Sequence, residues 1–187
     1  TAGVTDVGTV LTVRGVDGAE VRDGNVDMAA VRALSFSDVG TADGSLVFAG
    51  YGLSVPETDG FSYDSYATLD VLDKIVVVLR YFPEDTEGEL RGTLARYAGL
   101  RYKAFAARER GAKGLIVVTG PRSPNPGQLV PLTFDNAMGD SGIMAVTVDG
   151  NLGAALVASG GESIEEVQES LDTANPHVTG FELPLSV

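Results

Sequence analysis

The sequence predicts a β-rich α+β fold, and three observations carry that prediction. Its 187 residues include 24 glycines and 8 prolines, spread as punctuation between short apolar runs, a spacing that suits many short strands joined by tight turns. Two runs, KIVVVLR at 74–80 and GLIVVT at 114–119, are apolar without alternation and rich in β-branched residues, as strands buried on both faces are. Between them lies the best helical segment of the chain. Strand, helix and strand in that order make a βαβ-like unit with a right-handed crossover if the strands are parallel.

The elements follow in order. Residues 9–22 form a predicted hairpin, with Asp17-Gly18 supplying the positive φ angles of a two-residue turn. Residues 31–36 and 46–49 are short strands. For residues 93–110, intervals of 100° per residue gather Leu94, Ala98, Tyr102 and Phe105 on one side and Arg96, Lys103 and Arg110 on the other; Gly111 offers a left-handed cap. Residues 120–142 hold Pro121, Pro124, Pro126 and Pro131, and a loop of that length inside a compact domain is usually functional. A strand at 143–148 and an alanine-rich helix at 151–158 follow. Ser163-Ile-Glu-Glu166 is a capping box opening a helix through Leu171, and a strand at 178–187 closes the chain.

Composition removes several functions. With 26 acidic against 13 basic residues the formal net charge is −13, so phosphate backbones and anionic lipid surfaces are repelled. There is no cysteine and one histidine, His177, which leaves no thiolate zinc site, disulfide or cysteine nucleophile. No apolar stretch is long enough to span a membrane, and no signal peptide is visible. A chain that starts at Thr1 is expected to be a processed product or an excised piece.

The remaining chemical candidates have plain structural readings. His177, beside Pro176, reads as a solvent-facing turn residue. Asp59, Asp64 and Asp70 lack the alternating ligands and terminal glutamate of a calcium loop, so turn capping is expected. Glu84, Asp85, Glu87 and Glu89 read as a solvated acidic loop. Gly50-Tyr51-Gly52 precedes no helix and has no lysine-serine tail, so it is expected to be a strand-ending turn rather than a phosphate loop. Charge is uneven: the window 91–113 has seven basic residues against Glu109 and carries +6, leaving −19 for the rest. A solvated helix face is the default for such a window; the alternative is a docking surface for an acidic partner or a neighbouring domain.

Several ordered strings resemble a known family. Leu46-Val-Phe-Ala-Gly50-Tyr-Gly52-Leu, Tyr63-Asp64-Ser-Tyr66-Ala, Leu69-Asp70-Val71-Leu-Asp-Lys74-Ile-Val-Val-Val, Arg110-Gly111-Ala112-Lys113-Gly114-Leu-Ile-Val-Val and Gly142-Ile-Met-Ala-Val146 are similar to the protease-associated domain of bacterial zinc aminopeptidases, of the glutamate carboxypeptidase-like or leucyl aminopeptidase-like kind. The resemblance covers roughly residues 31–171. The family's Gly-Lys before the buried strand is Asp73-Lys74 here, which puts the type of that turn in question.

The resemblance implies a swivelling β/β/α fold: a small β-barrel or sandwich flanked by two or three helices. Residues 1–30 would be a connecting hairpin and residues 31–187 the domain. It implies a module that is not itself the catalyst, secreted or periplasmic, beside a peptidase domain of the same parent chain, with zinc expected only in that absent domain and no cofactor in this one. Its role would be to cover or shape substrate access or to mediate protein contacts. On loop length and composition, Arg122, Asn125, Phe134 and Asp135 are the candidate contacts to peptide substrate. Arg96, Lys103 and Arg110 are the candidate docking face. Two other readings stay open: a module that stabilises the parent fold or its dimer, and an independent hydrolase using carboxylates alone.

Overall fold

The computed structural model describes residues 8–15, 24–25, 29–58, 60–132, 141–178 and 180–187. Ten strands and four helices follow along them: β1 (Thr12–Gly15), β2 (Gly24–Asn25), β3 (Val31–Ala33), β4 (Ser45–Phe48), β5 (Ser54–Thr58), β6 (Phe61–Asp64), β7 (Ile75–Leu79), α1 (Gly88–Tyr97), α2 (Leu100–Glu109), β8 (Gly114–Val118), β9 (Met144–Val148), α3 (Gly150–Ala158), α4 (Ile164–Asp172) and β10 (Phe181–Ser186). Eight strands form one curled sheet in the order β2-β1-β10-β4-β7-β8-β9-β3, and β5 pairs with β6 in a separate hairpin. The β-rich α+β class is therefore what the chain adopts, as a curled half-barrel with four helices.

The sheet centre is parallel. β4, β7, β8 and β9 run side by side in the same direction, while β1, β10 and β3 add antiparallel strands at its two sides. Every residue of β7 and β8 is buried, the outcome their unbroken apolar runs predict. Alternate side chains feed two cores. Leu46, Phe48, Ile75, Val77, Leu79, Ile116 and Val118 join Leu156, Val157 and Leu171 on one face. Val47, Ala49, Val76, Val78, Leu115 and Val117 join Ala104 and Ala107 on the other. Each such residue contributes about 1.5–3 kcal/mol relative to exposure, so this double burial is the main source of cohesion.

The expected single helix over 93–110 is two helices. Gly99 is extended (ψ 136°) at the start of α2, and that break resets the helical phase. Leu94, Tyr97 and Ala98 pack into the first core, whereas Leu100, Ala104 and Ala107 pack into the second. One continuous helix cannot point its apolar stripe at both sides of a sheet. The consequence falls on Tyr102 and Phe105, which the continuous pattern puts inside and the structure leaves 48% and 37% exposed.

Other turns match their sequence. Gly50 and Gly52 take φ +53° and +62°, and a Cβ on Gly52 would lie 2.6 Å from Val78, so the strand-ending turn after β4 requires glycine there. Asp73 takes φ 59° before β7, the left-handed geometry that glycine would adopt freely and aspartate tolerates. Ser163 precedes α4 as expected, but its side chain makes no capping bond. The β5–β6 hairpin was not foreseen: its apolar residues are too few for a period-2 pattern. β1 pairs with both β10 and β2; the proposed Asp17-Gly18 turn lies outside the described residues.

Candidate functional site

The parallel strands direct their carboxyl ends to one place, where ligand sites of open α/β sheets are commonly found. After β4 comes the Gly50-Tyr51-Gly52 turn, after β7 comes Arg80-Tyr81, and after β8 comes Gly120 with the loop carrying Arg122 and Ser123. α4 closes over this end. Its apolar stripe of Ile164, Val167 and Leu171 includes two polar residues, Gln168 and Asp172, both wholly buried.

Those two residues organise a polar network. The Tyr51 hydroxyl donates to Asp172 Oδ1 at 2.5 Å, and Arg122 Nε donates to Asp172 Oδ2 at 2.9 Å. The Glu84 amide is the carboxylate's third donor, meeting Oδ1 at 3.2 Å. Gln168 Nε2 donates to the Tyr51 oxygen at 3.0 Å and to Ser123 Oγ at 2.9 Å, while Gln168 Oε1 accepts the Arg122 amide at 3.1 Å. A Cβ on Gly120 would overlap the Gln168 amide, so a larger residue there would push that amide out of its present bonds. Burial, reinforced by Asp172, pushes the Tyr51 hydroxyl far above the usual tyrosine pKa, which keeps it a donor.

Lys103 joins the same end from α2. It is wholly buried, and its Nζ donates to Leu79 O at 2.7 Å and Tyr81 O at 2.6 Å, 5.6 Å from the Tyr51 ring centre. Tyr81 has φ 70°, an unusual value for a bulky residue, and the Lys103 bond to its carbonyl holds that geometry. Burial lowers the Lys103 pKa well below its ordinary value.

The predicted contact residues separate. Arg122 is anchored to Asp172, with Asp85 and Glu169 at 3.5 and 3.8 Å; it holds the loop in place while part of its side chain stays open to solvent. Asn125 is exposed at φ 55° in the same loop. Phe134 and Asp135 lie outside the described residues. The predicted docking face does not assemble as one surface. Lys103 is buried because the helix break turns it inward, and Arg110 is held by Asp64 at 3.1 Å while lying over the Tyr66 ring. Arg96 is exposed and makes no ion pair among the described residues. Arg91 and Lys113 pair with Glu84 and Asp73, so with Arg110 three of the seven cations of the +6 window meet carboxylates from neighbouring loops. Asp64 and Asp70 cap turns at Tyr66 and Leu72, and His177 is an exposed turn residue.

Tyr51, Gln168, Asp172 and Ser123 were missed by sequence reasoning. A polar pair at i and i+4 inside the apolar stripe of the last helix was the available signal. Chemically the cluster is saturated: each carboxylate and amide oxygen is met by a donor. No group of three or more His, Cys, Asp or Glu able to hold a metal ion occurs among the described residues, and no described helix is long and apolar enough to cross a membrane.

The fold and this site define a small β-rich α+β module with an internally satisfied strand-end cluster. Among solved structures, the aminopeptidase from Aneurinibacillus sp. strain AM-1 matches 85% of this chain and 29% of its own, at 18% identity and a TM-score of 0.50. A zinc aminopeptidase from Bacillus subtilis matches 78% of this chain and 27% of its own, at 21% identity and a TM-score of 0.47. The chain thus spans less than a third of either neighbour, and at 18% identity its likeness to the first is one of fold alone. No protein-family profile matches the sequence, and no curated protein matches it.

Proposed function

We propose that the chain is the protease-associated domain of a zinc aminopeptidase, a non-catalytic module that covers or shapes the substrate entrance of a peptidase domain in the same parent chain. The observation that carries this reading is the partial overlay: most of this chain corresponds to a minor part of an aminopeptidase. Adjacency of β1 and β10 supports it, since an inserted module enters and leaves through neighbouring strands. In this reading zinc belongs to the peptidase domain, and the parent is secreted or periplasmic. The loop after β8, pinned by Arg122 to Asp172, presents Asn125 outward as the substrate contact, with Phe134 and Asp135 further along the same segment.

The test is kinetic. The isolated chain, assayed on aminoacyl-nitroanilides with and without added zinc, should show no turnover; zinc-dependent hydrolysis would replace this reading with the independent-hydrolase one. In the full parent enzyme, shortening the loop around Asn125 should change KM or kcat for peptides. Unchanged constants, together with altered assembly on removing the module, would favour the stabilising role instead.

A further inference from the structure

Two loops cross the carboxyl ends of the parallel strands, and polar ties hold both of them there. Residues 80–87 follow β7. The Tyr81 carbonyl accepts Lys103 Nζ at 2.6 Å and the Glu84 carbonyl accepts Arg91 Nη1 at 2.9 Å, while the Glu84 amide donates to Asp172 Oδ1 at 3.2 Å and the Asp85 amide to the Asp172 carbonyl at 3.1 Å. Residues 120–128 follow β8. In that loop the Arg122 amide donates to Gln168 Oε1, the Ser123 hydroxyl accepts Gln168 Nε2, and Arg122 Nε reaches Asp172 Oδ2.

Each loop also carries a residue other than glycine in the left-handed region, Tyr81 at φ 70° and Asn125 at φ 55°. Release would let both return to negative φ, so the backbone favours opening and the polar ties oppose it. Apolar anchoring is thin: Pro83 is buried, Tyr81 and Phe82 are half-buried, and Pro121, Pro124 and Pro126 are exposed. Segments with so few buried apolar contacts open at a lower free energy than the core. The ties converge on α4, where Asp172 bonds both loops and Gln168 bonds the second loop and the Tyr51 hydroxyl, itself a donor to Asp172. Opening of either loop admits water to a carboxylate that is wholly buried, and in water its pairing with Arg122 is worth little. Each loop therefore depends on the other being closed.

We propose that the loops after β7 and β8 are one latch, opening and closing as a unit through Asp172, with Lys103 holding it shut from α2. Linkage makes the coupling reciprocal: whatever displaces the loop around Asn125 loosens residues 80–87, and the reverse. The inference goes beyond the accessory-domain reading, because it concerns a motion of this chain in the absence of any substrate or partner, and the two fail separately.

Native-state hydrogen exchange of the 187-residue chain, followed by NMR in low denaturant, reads the latch directly. The amides of Glu84, Asp85 and Arg122 should share one opening equilibrium and one denaturant slope, and should open more readily than the amides within β7 and β8. Two variants perturb the latch from opposite sides. Lys103→Met removes the tie to the Tyr81 carbonyl, yet should speed exchange at the Arg122 amide. Ser123→Ala removes the hydroxyl bonded to Gln168, yet should speed exchange at Glu84 and Asp85, each effect being about threefold, as for one hydrogen bond. The serine variant leaves the apolar cores intact, so the test stands even if the lysine variant fails to fold. Acceleration confined to the altered loop, different denaturant slopes for the two loops, or equal acceleration throughout β7 and β8 overturns the proposal.

Discussion

Two parts of the molecule invert the usual rule of burial. At the carboxyl ends of the parallel strands, Lys103, Gln168 and Asp172 are wholly buried; on the outer side of α2, Tyr102 and Phe105 are exposed. The first set is saturated with partners from four separate chain segments, the second has mainly solvent and each other's neighbours. Buried polar groups survive only when satisfied, so the strand-end cluster is a construction joint. Tyr102 and Phe105 keep only an edge contact and a cation–π contact in the folded chain, so α2 holds part of an apolar face toward solvent.

The largest effect expected from this contrast is at Asp172. Replacing it with alanine leaves the buried Tyr51 hydroxyl and the Glu84 amide without their acceptor and releases the Arg122 guanidinium to solvent, and a buried donor left without its partner costs about 1–3 kcal/mol. Urea denaturation of Asp172→Ala should show that loss, along with increased proteolysis of the loop after β8. A loss well below about 1 kcal/mol would mean that the cluster is incidental.

Lys103 gives the next effect, and it is visible in pH. Burial lowers its folded pKa below the ordinary 10.5, so between those two values the unfolded chain binds more protons than the folded one. Stability from this residue is therefore full above the unfolded value and lost as pH falls through the folded one. Wild-type stability should rise as pH climbs toward the ordinary lysine value, and Lys103→Met should flatten the slope. Above the ordinary tyrosine value of 10.0 the sign reverses, because burial raises Tyr63 to about 12 and the unfolded chain then ionises first. Chemical denaturation at several pH values checks both limbs; an unchanged slope in the lysine variant would sink the assignment.

How much of this was legible depends on the kind of pattern. Unbroken apolar runs at 75–79 and 114–118 fixed two central strands, since nothing but burial on both faces tolerates them. Glycines at 50, 52 and 111 marked turns that the structure places at positive φ. The helix break at Gly99 was not legible, because a helical stripe continues across it; what forces the break is the presence of two cores, a property of the assembled sheet. That one omission reversed the expected positions of Lys103 and the Tyr102–Phe105 pair. The match to a solved aminopeptidase, at 18% identity, bears on the fold alone, so the protease-associated reading and its contact residues stand as proposals.

The smallest expected effect is the sharpest test of the contrast. If Tyr102 and Phe105 stand outside the core, the double variant Tyr102→Ser with Phe105→Ser loses only the edge contact with Tyr97 and the stacking under Arg108. Such surface aromatic and cation–π contacts contribute about 0.5–1 kcal/mol each, so the denaturation midpoint should move slightly and the cooperativity should stay unchanged. A loss of several kcal/mol would place the rings in the cohesive core. The phase shift at Gly99 would then be a local irregularity, and α2 would have no outward apolar face.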